Sequence, residues 1–103
     1  MNYMTPEKRI QNKILKYLDD LEKSGYPVFH QRRQSGGYSY KKGIPDVYCV
    51  VNGKHIEVEV KAPEGHLSPM QEKFRDLCKR NNIEWICVDN VEEFKLFINK
   101  FIV

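Results

Sequence analysis

The stretch GIPDVYCVVNGKHIEVEVK, residues 43–61, decides the fold of this chain because it predicts a β-hairpin. Asn52-Gly53 at its centre favours a two-residue type I′ turn, since both central positions of that turn need positive φ. The turn sets Val51 opposite Lys54, and every later pair then has residue numbers with the same sum. The sequence therefore predicts two antiparallel strands in a defined register.

The two faces of this hairpin differ in polarity, because side chains alternate between the faces of a strand. One face is apolar and pairs Cys49 with Ile56, Val47 with Val58, and Pro45 with Val60. The other face is polar and pairs Val50 with His55, Tyr48 with Glu57, and Asp46 with Glu59. Two carboxylates are therefore expected to face each other.

Like charges directly opposite each other destabilise a sheet. A hard cation such as magnesium or manganese would offset the repulsion between Asp46 and Glu59, since it prefers oxygen ligands. Lys61 follows on the same face, where its ammonium could orient or deprotonate a water. The alternative is that this alternation is the ordinary solvent face of a half-buried strand. The position of Asp46 opposite Glu59 favours the metal site.

The same residues form a set of motifs with a characteristic order. Gly-Ile-Pro-Asp at 43–46 is followed by Glu-Val-Lys at 59–61, by Ala-Pro, and by Leu-Ser-Pro-Met-Gln at 67–71. This set resembles the VRR-NUC branch of the PD-(D/E)XK nuclease superfamily, over residues 7–89. The resemblance implies an α/β fold with a restriction-endonuclease-like αβββαβ core, in which helices flank a mixed sheet.

The resemblance also implies roles for individual residues. Asp46 and Glu59 would be metal ligands, Val60 would offer its backbone carbonyl, Lys61 would be the catalytic lysine, and Gln71 would be an accessory catalytic residue. Family members usually carry an acid in the first helix, near the metal. That position falls on Gln11 here, with Glu7 one turn earlier, so either residue is a possible accessory. Glu7 has an equally good explanation as an acid that favours the helix dipole.

Length and composition fit one domain over residues 1–103. The chain is 41% hydrophobic and 30% charged, which is typical of a globular protein with a single core. Its net charge of +3 is compatible with nucleic acid but is too small to indicate it. With no apparent signal peptide and no long apolar run, we expect a soluble cytoplasmic protein that does not enter a membrane.

Three cysteines, Cys49, Cys78 and Cys87, are widely spaced within apolar patterns. An odd number of such cysteines predicts reduced core thiols rather than disulfides or a zinc site. A nucleophilic role for a thiol is not favoured.

Helix and strand signals surround the hairpin. Thr5-Pro6 opens a first helix that ends at Ser24-Gly25, and a strand is predicted over 28–34. Ser68-Pro69-Met70-Gln71 caps a second helix, with Met70, Phe74, Leu77 and Cys78 as its inner stripe. A buried strand over 84–88 and a last helix from Val91 follow.

Basic residues lie before and within the predicted loop over 35–43. Arg32 and Arg33 at the strand end, and Lys41 and Lys42 between tyrosines and glycines, are candidates for phosphate contact. The simpler interpretation of the two lysines is a solvated loop. These residues would give affinity for DNA without base specificity.

The expected function is that of a metal-dependent DNA endonuclease, structure-selective on branched or junction DNA. A nucleic-acid-binding module of nuclease fold without activity is the alternative, since Gln11 replaces an acid. A protein-interaction subunit with a solvated hairpin face also stays open. We further expect a homodimer, because the last helix is apolar nearly all round.

Overall fold

The predicted hairpin organises the computed structural model, which describes residues 4–33 and 43–102. Asn52 and Gly53 both have positive φ, 52° and 82°, as the type I′ turn requires. Val51 pairs with Lys54 and the paired residues continue to Val47 with Val58, in the predicted register. Pro45 and Asp46 precede the strand, so the predicted pairs with Val60 and Glu59 lie just beyond the ladder.

The chain alternates helices and strands in the order α-β-β-β-α-β-α. The elements are α1 (Pro6–Lys23), β1 (Val28–Arg32), β2 (Val47–Val51), β3 (Lys54–Val60), α2 (Pro69–Arg80), β4 (Glu84–Val88) and α3 (Val91–Ile102). The first strand ends at Arg32, earlier than the predicted residue 34. The mixed sheet with flanking helices confirms the predicted fold class.

The four strands lie in sequence order, β1-β2-β3-β4. Strand β2 is antiparallel to both β1 and β3, whereas β4 pairs with β3 in parallel. The parallel pairing requires a crossover, and α2 provides it. Both strands of the hairpin are therefore central, which places their polar side chains inside the molecule rather than at an edge.

The helices divide between the two faces of the sheet. The face that α1 and α3 cover carries the main core, which consists of Ile14, Leu18, Val47, Cys49, Val51, Ile56, Val58, Val60, Val88, Phe94 and Ile98. The other face carries Glu57 and Glu59 and lies under α2. Burial raises the pKa of the Cys78 thiol on this helix, and the nearby charge of Glu57 raises it further.

The predicted inner stripe of α2 is only partly buried. Cys78 is buried, but Met70 and Leu77 keep 43% and 41% of their surface exposed. The physical reason is that the facing side of β3 is polar, so α2 has little apolar surface to cover. Three free cysteines are present, as expected, and burial raises the pKa of Cys49 to about 12, which leaves its thiol protonated.

Helix caps follow the sequence signals closely. Thr5 Oγ1 accepts a hydrogen bond from the Lys8 N–H at 3.1 Å, and Ser68 and Gln71 form the predicted capping box. In the described ranges, no helix is both long and apolar enough to cross a bilayer.

Candidate functional site

The residues predicted to form a metal site line one cavity of about 290 Å³. The cavity lies between the start of α1, the segment before β2, the end of β3 and the start of α2. Its lining includes Glu7, Gln11, Asp46, Glu59, Val60 and Gln71. The structure therefore brings together six residues from four separate segments of the sequence.

Glu59 is the most deeply buried acid in this cavity. Its residue surface is 8% exposed, and its Oε1 has no hydrogen-bond partner among the described residues. Burial raises the pKa of Glu59 to about 7; the Lys61 ammonium opposes this rise and the Asp46 carboxylate adds to it. A buried carboxylate oxygen without a hydrogen-bond partner is costly, so Oε1 fits a ligand for a cation.

Gln11 takes the place where an acid was expected from α1. It is 6% exposed, and its Nε2 donates a hydrogen bond to Asp46 Oδ2 at 3.4 Å. Its Oε1 is buried and has no partner in the described part of the chain. The side chain thus contacts the Asp46 carboxylate through its amide nitrogen, while its one amide oxygen stays available.

The oxygen donors in this cavity fit a divalent cation. Asp46 and Glu59 offer carboxylates and Gln11 offers an amide oxygen, and oxygen donors are what magnesium and manganese prefer. Two of these oxygens, on Glu59 and Gln11, are buried and have no hydrogen-bond partner in the part of the chain that the structure describes. A cation would give both oxygens a partner. Asp46 and Glu59 are accompanied by an amide rather than by a third closely placed acid.

Lys61 follows β3 directly and is half-buried. Its backbone N–H donates to the Val88 carbonyl at 3.0 Å, which extends the contact between β3 and β4 by one residue. The ammonium is near enough to Glu59 to lower its pKa. The lysine therefore lies within electrostatic reach of the buried carboxylate, as the hairpin register predicts.

Gln71 has a structural role that the sequence already indicated. Its Oε1 accepts a hydrogen bond from the Ser68 N–H at 2.8 Å, and its own N–H donates to Ser68 Oγ at 3.2 Å. The side-chain amide nitrogen is not part of this capping box. Gln71 can therefore cap α2 and still present a donor to the cavity.

The four basic residues expected to contact phosphate differ in their positions. Arg32 is exposed at the end of β1, whereas Lys41 and Lys42 lie outside the described residues. Arg33 differs from the expectation, since its guanidinium donates to both carboxylate oxygens of Glu57 at 2.6 and 2.8 Å. Its strongest contacts are thus inside the protein.

Sequence reasoning missed three polar residues near the site. Lys8 lines the cavity from α1, and its spacing of three residues from both Thr5 and Gln11 would have indicated it. Glu57 is 2% exposed, and His55 Nε2 contacts its Oε2 at 2.6 Å. The Glu57 and His55 pair could have been read from the alternation of β3, but their partner Arg33 could not.

A second group of possible metal ligands lies elsewhere, on α1 and β1. Among the described residues, Asp19, Glu22 and His30 are the group of three such side chains whose ligand atoms lie within 4.8 Å of one another. Their oxygens are already used: Asp19 pairs with Lys23 at 2.8 Å, and Glu22 Oε1 accepts the His30 N–H at 2.8 Å. The carboxylates of this cluster therefore already have partners within the protein, and they do not require a cation.

A larger cleft of about 470 Å³ lies near the starts of β3 and β4. Its charged lining is mainly basic, with Lys54, Arg75 and Lys79 against the single acid Glu84. It lacks the paired carboxylates of the smaller cavity. The smaller cavity is therefore the candidate site for metal chemistry.

Comparison with known proteins gives a match in structure rather than in sequence. No family model and no curated protein sequence matches this chain. A solved structure described as a VRR_NUC domain matches it with a TM-score of 0.73 and 18% sequence identity, over 93% of this chain and 97% of that one. The chain therefore shares the fold of that VRR_NUC domain, as its motifs predicted.

Proposed function

We propose that this protein is a metal-dependent nuclease that hydrolyses phosphodiester bonds in DNA. The observation that carries the proposal is one cavity in which Asp46, Glu59 and Gln11 converge, with two buried oxygens that have no partner among residues 4–33 and 43–102. The nuclease fold of the similar structure supports the same reaction class. Fold alone would not suffice, since one fold hosts many functions.

Asp46 and Glu59 would hold a magnesium or manganese ion, with the carbonyl of Val60 and the amide oxygen of Gln11 as further oxygen donors. Such an ion, when bound, lowers the pKa of a water and polarises the scissile phosphate. Lys61 would orient the attacking water and donate to the phosphoryl oxygens, where negative charge grows during the attack. Gln71 would present its amide N–H groups to the same phosphate.

Arg32, Lys41 and Lys42 would supply the sequence-independent part of DNA binding, through phosphate neutralisation. Arg32 is exposed at the end of β1, and its strand leads towards the segment that carries Asp46. A protein surface that binds DNA through its phosphates alone would accept many sequences and would select DNA by its shape.

Cleavage assays with plasmid, linear and four-way junction DNA test the proposal. Cleavage should require magnesium or manganese and should stop in EDTA. Asp46→Asn, Glu59→Gln and Lys61→Ala should each abolish it. Arg75→Lys on α2 is the control, and its activity should be unchanged. Double variants should lose no more than single ones, because residues that act as a unit have non-additive effects. Cleavage at the wild-type rate by Lys61→Ala would contradict the catalytic role of Lys61. Cleavage of RNA but not of DNA would contradict the proposed substrate.

The second candidate is a nucleic-acid-binding module without cleavage, which Gln11 favours because an amide replaces the expected acid. Salt-sensitive DNA binding without cleavage in either metal would establish this candidate. The absence of both binding and cleavage would leave only a protein-interaction role.

We also propose a homodimer through α3, which would present two sites to a branched duplex or Holliday junction. The support is narrower than the sequence pattern indicated, because Phe94 and Ile98 are buried in the core and Phe97 and Phe101 pack partly against it. Leu96 is 71% exposed and would lie at the contact. Sedimentation equilibrium of the wild type and of Leu96→Glu decides: a monomeric wild type at high micromolar concentration defeats the dimer and the junction preference that depends on it.

A further inference from the structure

Arg33 makes contacts with two segments that also carry the proposed metal ligands. Its guanidinium donates to both carboxylate oxygens of Glu57 on β3, at 2.6 and 2.8 Å, and also to the Pro45 carbonyl at 2.8 Å. Its backbone N–H donates to the Asp46 carbonyl at 2.6 Å. One residue thus connects the segment that presents Asp46 with the strand that presents Glu59.

The ion pair between Arg33 and Glu57 is largely buried, with 24% and 2% of the two side chains exposed. Tyr48 stacks on it, with the guanidinium carbon 4.6 Å from the ring centroid, and His55 Nε2 contacts the carboxylate at 2.6 Å. A buried pair of this kind can often be replaced by apolar side chains with little loss of stability, but it fixes geometry well. Its position therefore matters more than its contribution to folding.

The segment before β2 is also fixed at its other end. Gly43 has φ of +91°, and a Cβ added there would collide with the backbone carbonyl of Met70 at the start of α2. Residues 43–46 are therefore held between α2 on one side and Arg33 on the other. Asp46 itself is exposed, but the segment that carries it is fixed at both ends.

We infer that Arg33, together with Glu57, is a positioning residue that sets the Asp46 carboxylate against Glu59, and so determines the affinity of the proposed site for a divalent cation. This inference depends on the proposed function, because it concerns the same site. Arg33 touches neither the cation nor the scissile phosphate in this role. Removing a partner that orients a metal ligand typically costs about 10- to 100-fold in metal affinity or activity.

Two sets of substitutions separate this role from simple stabilisation and from charge. Arg33→Lys keeps the charge but loses the planar fork that holds both oxygens of Glu57 and the Pro45 carbonyl. Arg33→Met combined with Glu57→Leu removes one positive and one negative charge, so the net charge near the site is unchanged. Arg75→Lys is the matched control, since Arg75 pairs with Asp76 on the exposed surface of α2.

Thermal melts at increasing magnesium, manganese or calcium concentration measure the apparent cation affinity without depending on cleavage. We expect both Arg33 variants to need about 10- to 100-fold more cation for the same rise in melting temperature, and Arg75→Lys to match the wild type. In the double variant the metal-free melting temperature should stay near that of the wild type, which keeps the measurement valid if Arg33→Lys folds poorly. Circular dichroism checks the fold of each variant.

The outcomes distinguish this inference from the proposed function. If wild type, Arg33→Lys and the double variant respond equally to the cation, the positioning role is refuted and the metal site stands. If the wild type shows no response to any of the three cations, the proposed site fails and the inference fails with it. A weaker response in the Arg33 variants alone supports the positioning role.

Discussion

Replacing Glu59 by glutamine should stabilise the metal-free protein at alkaline pH. Burial, reinforced by Asp46 and opposed by Lys61, raises the pKa of Glu59 from 4.5 to about 7. Between those two pH values the folded protein keeps a proton that the unfolded chain has released, so the free energy of unfolding falls as the pH rises. Above pH 7 the full cost of the buried charge is present, and glutamine removes it.

The size of the effect follows from the two pKa values. Each pH unit between them is worth about 1.4 kcal/mol, so the ionised carboxylate costs at most about 3 kcal/mol at pH 8. For a domain of about this size, 1 kcal/mol shifts the melting temperature by roughly 4–8 °C. Glu59→Gln should therefore melt roughly 12–24 °C higher than the wild type in EDTA at pH 8, and at nearly the same temperature at pH 4.5.

A bound cation should reverse this order. Binding at a concentration one thousand times the dissociation constant stabilises the folded state by about 4.1 kcal/mol, and only the wild type has the carboxylate that such binding needs. Magnesium or manganese should then raise the melting temperature of the wild type to or beyond that of Glu59→Gln, which should barely respond.

Differential scanning fluorimetry between pH 4.5 and 8, in EDTA and in excess cation, makes the measurement, with Glu64→Gln in an exposed turn as the matched control. The reasoning is refuted if the metal-free wild type keeps constant stability across this range, or if Glu59→Gln is less stable than the wild type in EDTA at pH 8. Equal cation responses of the two proteins would remove Glu59 from the metal site.

Two further predictions concern the neighbours of Glu59. Gln11→Glu should tighten cation binding several-fold and lower the stability of the metal-free protein, because a third carboxylate joins Asp46 and Glu59. Thermal melts at increasing calcium concentration test this prediction, with Asn12→Asp on the exposed side of α1 as the control. Gly43→Ala should destabilise the protein by more than the roughly 1–2 kcal/mol expected for Gly53→Ala. Both glycines have positive φ, but of the two only Gly43 faces the Met70 backbone. Urea unfolding compares the two variants, and equal losses of stability would contradict the steric argument.

The hairpin and its neighbours were determined by local sequence signals. Asn52-Gly53 fixes the turn and, through the period of two, the side of the sheet on which each later residue lies. The proline and cap residues at the starts of α1 and α2 likewise define where these helices begin. Such signals act over a few residues, so a sequence displays them directly.

The motif spacing in the sequence also indicated the fold and the members of the candidate site. Asp46, Glu59 and Gln71 belong to elements whose order along the chain resembles VRR-NUC domains, and the structure brings them to one cavity. The sequence could not show whether α1 supplies Glu7 or Gln11. Packing decides that Gln11 is buried against Asp46, whereas Glu7 is exposed at the start of the helix.

Only the tertiary structure revealed the pairing of Arg33 with Glu57. The two residues are 24 positions apart: Arg33 directly follows β1, Glu57 lies on β3, and β2 separates these two strands. No local rule relates such positions, because the contact depends on the length of a side chain that reaches from the end of one strand across the next. The sequence thus determined which carboxylates face the site, and the three-dimensional packing decided which charges are available to act there.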